Sequence, residues 1–392
     1  MNTSRIFDGR FGLERETLRV DGSGSLARTP HPFTDKRLDR DFCENQLEII
    51  TPVCNSLDEL MNSITYLHGY AANEIKQNGE YLWLCSNPPH INSEDEIPIA
   101  RFSGDKAFKR DYRINLWRRY GKRLMLLSGI HFNFSFDESI FENEDKNEVY
   151  FRLSKQVLRY SWLHVLLTAA SPVYDKSYDG DGLSGSAFSG LGSLRNSERG
   201  YWNQFVPVLD YTDIKSYADS VGSYVKKGAL FSAGELYLPV RLKSAGANSL
   251  DALLKYGVDH IELRMFDLNP LSPVGVMRED LEFAHYFLLY LLMLPDFDFT
   301  PEMQMAAIKN HKEAAKFDLN EININGYPAK DAAMGLLRDM ELYFKDSGKV
   351  LKSIEIQKNK ILANDRYCVK LRDMLIGGYQ NTMLKISQKG GE

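Results

Sequence analysis

The sequence predicts an α+β fold with a mainly antiparallel sheet, and three observations lead there. Five widely separated segments alternate polar and apolar side chains with the period of two that marks a half-buried strand. Long helical patterns lie between them without the regular strand–helix alternation of a doubly wound parallel sheet. The 392 residues, 43% of them hydrophobic, are enough to bury a large core.

The first ten residues are polar and contain no apolar signal core, so the chain is expected to remain in the cytoplasm. The first strand follows at Phe11–Val20. Glu14 and Glu16 share one face there, and carboxylates two residues apart on a strand lie about 7 Å from one another. Like charges so placed call for a cation between them, most simply a divalent metal. A second strand, Gln46–Thr51, puts Glu48 beside Gln46, with Asp41 and Glu44 just upstream. Ser56 and Glu59 form a capping box that opens a helix running to about Lys76. Another helix spans Ala107–Tyr120 and is closed by Gly121.

The third strand, Ile130–Phe136, alternates cleanly: His131, Asn133 and Ser135 face one way and four large apolar residues the other. A helix over Asn147–Ala170 ends before Ser171-Pro172, and a Gly, Ser and Asp-rich loop covers 175–192. That loop contains Gly180-x-Gly182-x-x-Gly185, but the match follows a helix and a Pro turn and opens no helix, so it is not a dinucleotide fingerprint. No G-x-x-x-x-G-K-[ST] motif occurs either.

Further helices are expected at Thr212–Lys227, Ser249–Tyr256 and Arg278–Leu294, and throughout a helical C-terminal region from about 296 to 392. The fourth strand reads Glu235–Arg241, with Tyr237 and Arg241 on one face and Pro239 marking an edge or bulge. The fifth, Ile261–Asp267, sets Glu262 and Arg264 opposite Ile261, Leu263 and Met265. The whole chain reads as one catalytic domain.

If these strands join one sheet, each presenting hydrocarbon on one face, helices can cover that side while the polar faces enclose a cavity for metal and anion together. Carboxylate-rich ligation with a single imidazole favours Mg²⁺ or Mn²⁺ over zinc, and Mg²⁺ usually arrives with phosphate. Composition excludes other classes of partner. A net charge of −5 and the lack of a basic run argue against nucleic acid and anionic membrane. The most apolar run, Leu281–Leu294, is too short to span a bilayer. Cys43, Cys54, Cys85 and Cys368 stand singly, which argues against a zinc ribbon or a disulfide scaffold.

Six segments also resemble bacterial glutamate-cysteine ligase, in order over roughly residues 10–295: Gly12–Val20; Asp41-Phe42 with Glu44 and Glu48; Ser128–Ser135; Ser193–Ser197 with Gly200-Tyr201; Glu235–Pro239; and Ile261–Arg264 through Pro270. The resemblance implies a glutamine synthetase-like fold whose curved sheet forms a funnel for ATP and metals. It implies ATP-dependent formation of a γ-glutamyl amide from glutamate and cysteine, the first step of glutathione synthesis. A free carboxylate resists attack by an amine, so that chemistry requires an acyl phosphate, made by positioning and charge neutralisation.

By the same resemblance Glu14, Glu16, Asp41, Glu48, His131 and Glu262 would hold Mg²⁺ against the ATP phosphates, with Glu44 beside them, and Glu262 and Arg264 would be catalytic. Arg264 would stabilise charge on the transferring phosphoryl group. Arg113 and Arg195 would grip substrate carboxylates. Tyr112, Tyr201 and Tyr237 would line the acceptor pocket, with Leu116 and Leu127 as its apolar wall. Met125 stands where related enzymes tend to carry glutamine, which leaves open a ligase of the same chemistry with another amine as acceptor. A non-catalytic sensor of Mg-nucleotide is the more distant reading. The chain is shorter than many stand-alone members, and no second ligase domain is read from it, so a bifunctional enzyme is not expected.

Overall fold

The computed structural model describes residues 5–102, 104, 107–246 and 249–390. Its strands are β1 (Gly9–Val20), β2 (Leu38–Arg40), β3 (Gln46–Ile50), β4 (Tyr81–Trp83), β5 (Gly129–Phe136), β6 (Val173–Asp175), β7 (Ser186–Phe188), β8 (Val240–Lys243), β9 (His260–Asp267), β10 (Asn323–Ile324) and β11 (Tyr327–Pro328). The helices are α1 (Leu57–Lys76), α2 (Ala107–Tyr120), α3 (Lys146–Thr168), α4 (Ile214–Lys226), α5 (Leu250–Tyr256), α6 (Arg278–Met293), α7 (Pro301–Glu313), α8 (Ala329–Tyr343), α9 (Gly348–Leu362), α10 (Tyr367–Leu375) and α11 (Tyr379–Lys389).

The main sheet runs β2-β3-β1-β5-β9-β8, with β4 also pairing β1, and every pairing in it is antiparallel. The α+β class predicted from the alternation is therefore the observed one. Leu13, Ile130, Phe132, Phe134, Ile261 and Leu263 point to one side and are buried against α1, α3 and α6. Ser56 caps α1 as predicted, accepting from the Glu59 amide, while the Glu59 carboxylate reaches one residue further back and accepts the Asn55 amide. α6 is apolar nearly all round and buried accordingly. Among the described residues no helix is long and apolar enough to cross a membrane.

Three expectations need correction. The strand expected from Glu235 begins only at Val240, because residues 233–235 form a 3₁₀ turn and Pro239 supplies no ladder N–H. The 175–192 loop is bracketed by a hairpin, β6 with β7. The third concerns β1, whose reverse face is only partly hydrocarbon: Arg15 and Arg19 are fully buried on it. Arg15 donates to the Val274 carbonyl (2.9 Å) and reaches His68 Nδ1 (3.0 Å). Arg19 pairs with Glu80 at 2.6 Å. The period-2 pattern is present in β1, but each buried guanidinium there is held through its terminal nitrogens by partners that alternation does not reveal.

Candidate metal and substrate site

Strand pairing lays the polar residues out in rows. Glu14 on β1 lies opposite His131 on β5, and Glu16 opposite Glu48 on β3. Asn133 on β5 lies opposite Glu262 on β9, which in turn lies opposite Arg241 on β8. Cross-strand neighbours are close enough for their side chains to meet. The His131 Nδ1 lies 3.4 Å from Glu14 and 3.5 Å from Glu262, and its Nε2 3.8 Å from Glu16. Glu14, His131 and Glu262 offer three donor atoms all within 4.8 Å of one another.

A metal test rests on His131. Its Nε2 is a buried nitrogen without a hydrogen-bond partner among the described residues, facing Glu16 at 3.8 Å. Buried polar atoms are normally satisfied. An orphaned imidazole nitrogen amid three carboxylates has the chemistry of a ligand set, and its oxygen-rich composition fits Mg²⁺ or Mn²⁺.

The charges are unevenly distributed. Burial alone would raise the Glu262 pKa, but Lys243 (3.3 Å), Arg264 (3.4 Å), His131 and Arg241 (3.9 Å) hold it well below the usual carboxylate range. Glu14 is also lowered: burial and Glu262 oppose its charge, and the His131 hydrogen bond, the Lys243 charge and the His131 charge act against them. At the other end Glu48 is raised well above the usual range by burial and by Asp41, Glu14 and Glu16. Burial likewise raises Glu16, whose Oε2 accepts the Gly129 amide at 2.8 Å. Burial works against the charge on Arg264, and Glu262, Tyr201, Glu16 and Glu14 together more than restore it.

A bulge on β9 shapes the centre. The register with β5 shifts between Ile130 and Phe132, leaving Arg264 and Met265 opposite His131 alone. Their carbonyls accept instead from Arg195 (2.7 Å) and Asn196 (3.0 Å). Arg195 lies directly on β5, where a Cβ on Gly129 would sit 2.3 Å from its guanidinium carbon; only glycine fits there. The 193–196 turn is fastened by the Asp267 carboxylate, which accepts from Ser193, Ser171 and the Ala170 amide at 2.8 to 3.0 Å.

Beside Arg264, a small cavity is lined by Arg195, Tyr201 and Tyr237. The Tyr201 and Tyr237 rings are 4.3 Å apart with their hydroxyls hydrogen-bonded at 3.2 Å, and Tyr112 packs against the same cluster. Burial raises all three phenols. Leu116 packs in this cluster together with Met125.

Other predicted residues fall elsewhere. Leu127, expected beside Leu116, packs instead with Tyr174 and Leu194, since the 3₁₀ turn at Leu124–Leu126 reverses the chain before it. Arg113 is bound to the carbonyls of Asp41, Arg40 and Lys109 and stacks on Phe102, so its fork is engaged by the protein itself. Asp41 stands at the rim, 3.7 Å from Arg113. Glu44 is held by the amides of Arg101 and His31 and by Arg40, away from the cage. Two residues given no site role from the sequence join the cage: Lys243, 3.3 Å from Glu262, and Asn133, on the His131 face with its amide 3.3 Å from Glu14. The alternation Arg241-Leu242-Lys243 carries the signal for the lysine, but a strand running Glu235–Arg241 stops short of it.

An antiparallel sheet presenting carboxylates, one imidazole and fixed guanidinium groups brings a donor set suited to a divalent cation beside fixed positive charge. Residues 1–314 match the model of the glutamate-cysteine ligase family, and the chain belongs to that family. A glutathione biosynthesis bifunctional protein GshAB of Clostridium perfringens is 37% identical over 97% of this chain and 53% of its own length. Its namesake in Listeria monocytogenes is 35% identical over 91% and 51%. The chain thus spans about half the length of the curated relatives it matches. The crystal structure of a Francisella tularensis glutamate-cysteine ligase in complex with AMP superposes with a TM-score of 0.89 at 25% identity, covering 98% of this chain and 88% of that one.

Proposed function

We propose that this chain joins the γ-carboxylate of glutamate to the amino group of cysteine at the expense of ATP. The γ-phosphoryl group passes from ATP to a carboxylate oxygen, releasing ADP. The amine then attacks the acyl carbon and phosphate leaves. The observation that carries this reading is the cage of Glu14, His131 and Glu262 bordered by Arg264. Glu16, Glu48 and Asp41 extend its donor set. A divalent cation held there would supply the charge neutralisation that phosphoryl transfer requires.

The chain's own residues take up the remaining tasks. Arg264 borders both Glu262 and the tyrosine cavity, so its fixed charge stands where a phosphoryl group moving between nucleotide and glutamate would need it. Arg195, buried and rigidly placed, grips a glutamate carboxylate. Tyr112, Tyr201 and Tyr237, with Leu116, receive the acceptor amino acid and exclude water from the acyl phosphate.

The test supplies ATP, Mg²⁺ and glutamate with a panel of amines and measures phosphate release and product mass. γ-Glutamylcysteine as the preferred product supports the proposal. Met125, buried with Leu116 and Tyr237, favours a second reading in which another amine is the acceptor, and a preference for that amine selects it. Mg-ATP binding without turnover on any acceptor overturns both readings in favour of a sensor.

A further inference from the structure

Tyr237 lies outside any strand. It sits between the 233–235 turn and β8, so no ladder fixes its backbone. A buried side chain does so instead: Asn203 accepts the Tyr237 amide at 2.9 Å through its Oδ1. The Asn203 amide nitrogen donates to the Glu235 carbonyl at 2.7 Å and to the Tyr120 hydroxyl at 3.2 Å. Glu235 is fully buried, and its carboxylate accepts from Tyr120 (2.7 Å), Arg119 (2.9 Å) and the Phe231 amide (2.5 Å). The end of α2, the Asn203 loop and the 228–237 segment are thereby locked together. On the other side Arg241 donates to the carbonyls of Gly234 and Leu236 at 3.0 and 2.8 Å, while its Nε lies 3.9 Å from Glu262.

We propose that Asn203 and Glu235 are positioning residues that fix the Tyr201–Tyr237 pair, and through it the acceptor pocket, relative to the metal cage; this rests on the function proposed above. Neither residue borders the cavity formed with Arg195 and Arg264, so neither needs to touch a substrate. Their effect passes through the Tyr237 backbone and the Tyr120 ring, which packs 5.7 Å from that of Tyr237. Buried, fully partnered networks of this kind specify one arrangement, and removing one member releases the rest.

The test measures steady-state kinetics for each substrate in Asn203→Ala, Glu235→Gln and Tyr120→Phe, together with glutamate-dependent ATP cleavage in the absence of acceptor. The expected result is an acceptor KM raised about tenfold, with the KM values for ATP and glutamate and the acceptor-free cleavage at wild-type level. Tyr120→Phe, which deletes one hydroxyl and leaves the ring, keeps the question answerable if Asn203→Ala fails to fold. An unchanged acceptor KM in folded variants, or an equal rise for all three substrates, overturns the proposal. Wild-type protein that turns over no acceptor overturns the proposed function itself, an outcome the wild-type assay reveals before any variant is compared.

Discussion

The two ends of the carboxylate row obey opposite electrostatics. Around Glu262, Lys243, Arg264 and Arg241 lie within 3.9 Å among the described residues and, with His131, hold it well below the usual carboxylate range. Around Glu48 the strongest electrostatic neighbours are Asp41, Glu14 and Glu16, so burial and repulsion push it toward its neutral form. The Glu262 end is pre-set for charge by the protein, whereas the Glu48 end lacks that compensation. A site with both ends compensated by protein would have no affinity for a cation, and one with neither would not hold its carboxylates together.

The sharpest way to break this contrast is Glu262→Gln, which removes charge at constant volume. Turnover is expected to fall on the order of 10²–10³-fold while circular dichroism is unchanged; wild-type turnover would remove Glu262 from its role. Arg264→Lys follows, with a smaller loss of about tenfold or more, because a point charge does not reproduce the planar fork; rapid-quench measurement of acyl phosphate formation checks it.

Metal comes next. Mg²⁺ or Mn²⁺ at about one hundred times its Kd is expected to stabilise the wild-type fold by about 2.7 kcal/mol, and Glu48→Gln is expected to reduce that gain. Thermal melts with and without chelator measure both.

The smallest effect concerns pH. Glu48 and Glu16 have folded pKa values above the usual 4.5, so the folded state binds more protons than the unfolded chain. Their contribution is therefore fully favourable only below 4.5 and is lost as pH rises through the raised values. Metal-free Glu48→Gln is expected to be more stable than metal-free wild type at neutral pH, by on the order of 1 kcal/mol, with the gap closing below the usual carboxylate value. Urea titrations across pH decide it, and a gap independent of pH would refute the assignment.

How far this was legible in the sequence follows from the physics of each residue. Glu14, Glu16, His131 and Glu262 lie on strands whose alternation survives in the folded protein, so reading one face sufficed to group them. The charge asymmetry was not legible, since Lys243 reaches Glu262 only through the β8–β9 register, which pairing between distant segments sets. Arg113 misled because a guanidinium looks the same in sequence whether it faces a ligand or three carbonyls of its own chain. β2 and β4, three residues each, are too short to show any period.

The arginines behind β1 carry one more consequence. His68, whose pKa burial depresses to about 3, receives Arg15 on one nitrogen and meets the Gly390 carbonyl at 3.1 Å with the other. Tyr379 likewise caps the Asn87 carbonyl at 2.6 Å. The tail beyond the family match thus braces the very strand that bears Glu14 and Glu16 from its far side. Trimming the protein back to residue 314 would remove the Gly390 contact from His68 and the Tyr379 contact from Asn87 and uncover the surface packed beneath them, so an assay of the shortened form would report on a weakened chassis and not on the chemistry mounted on it.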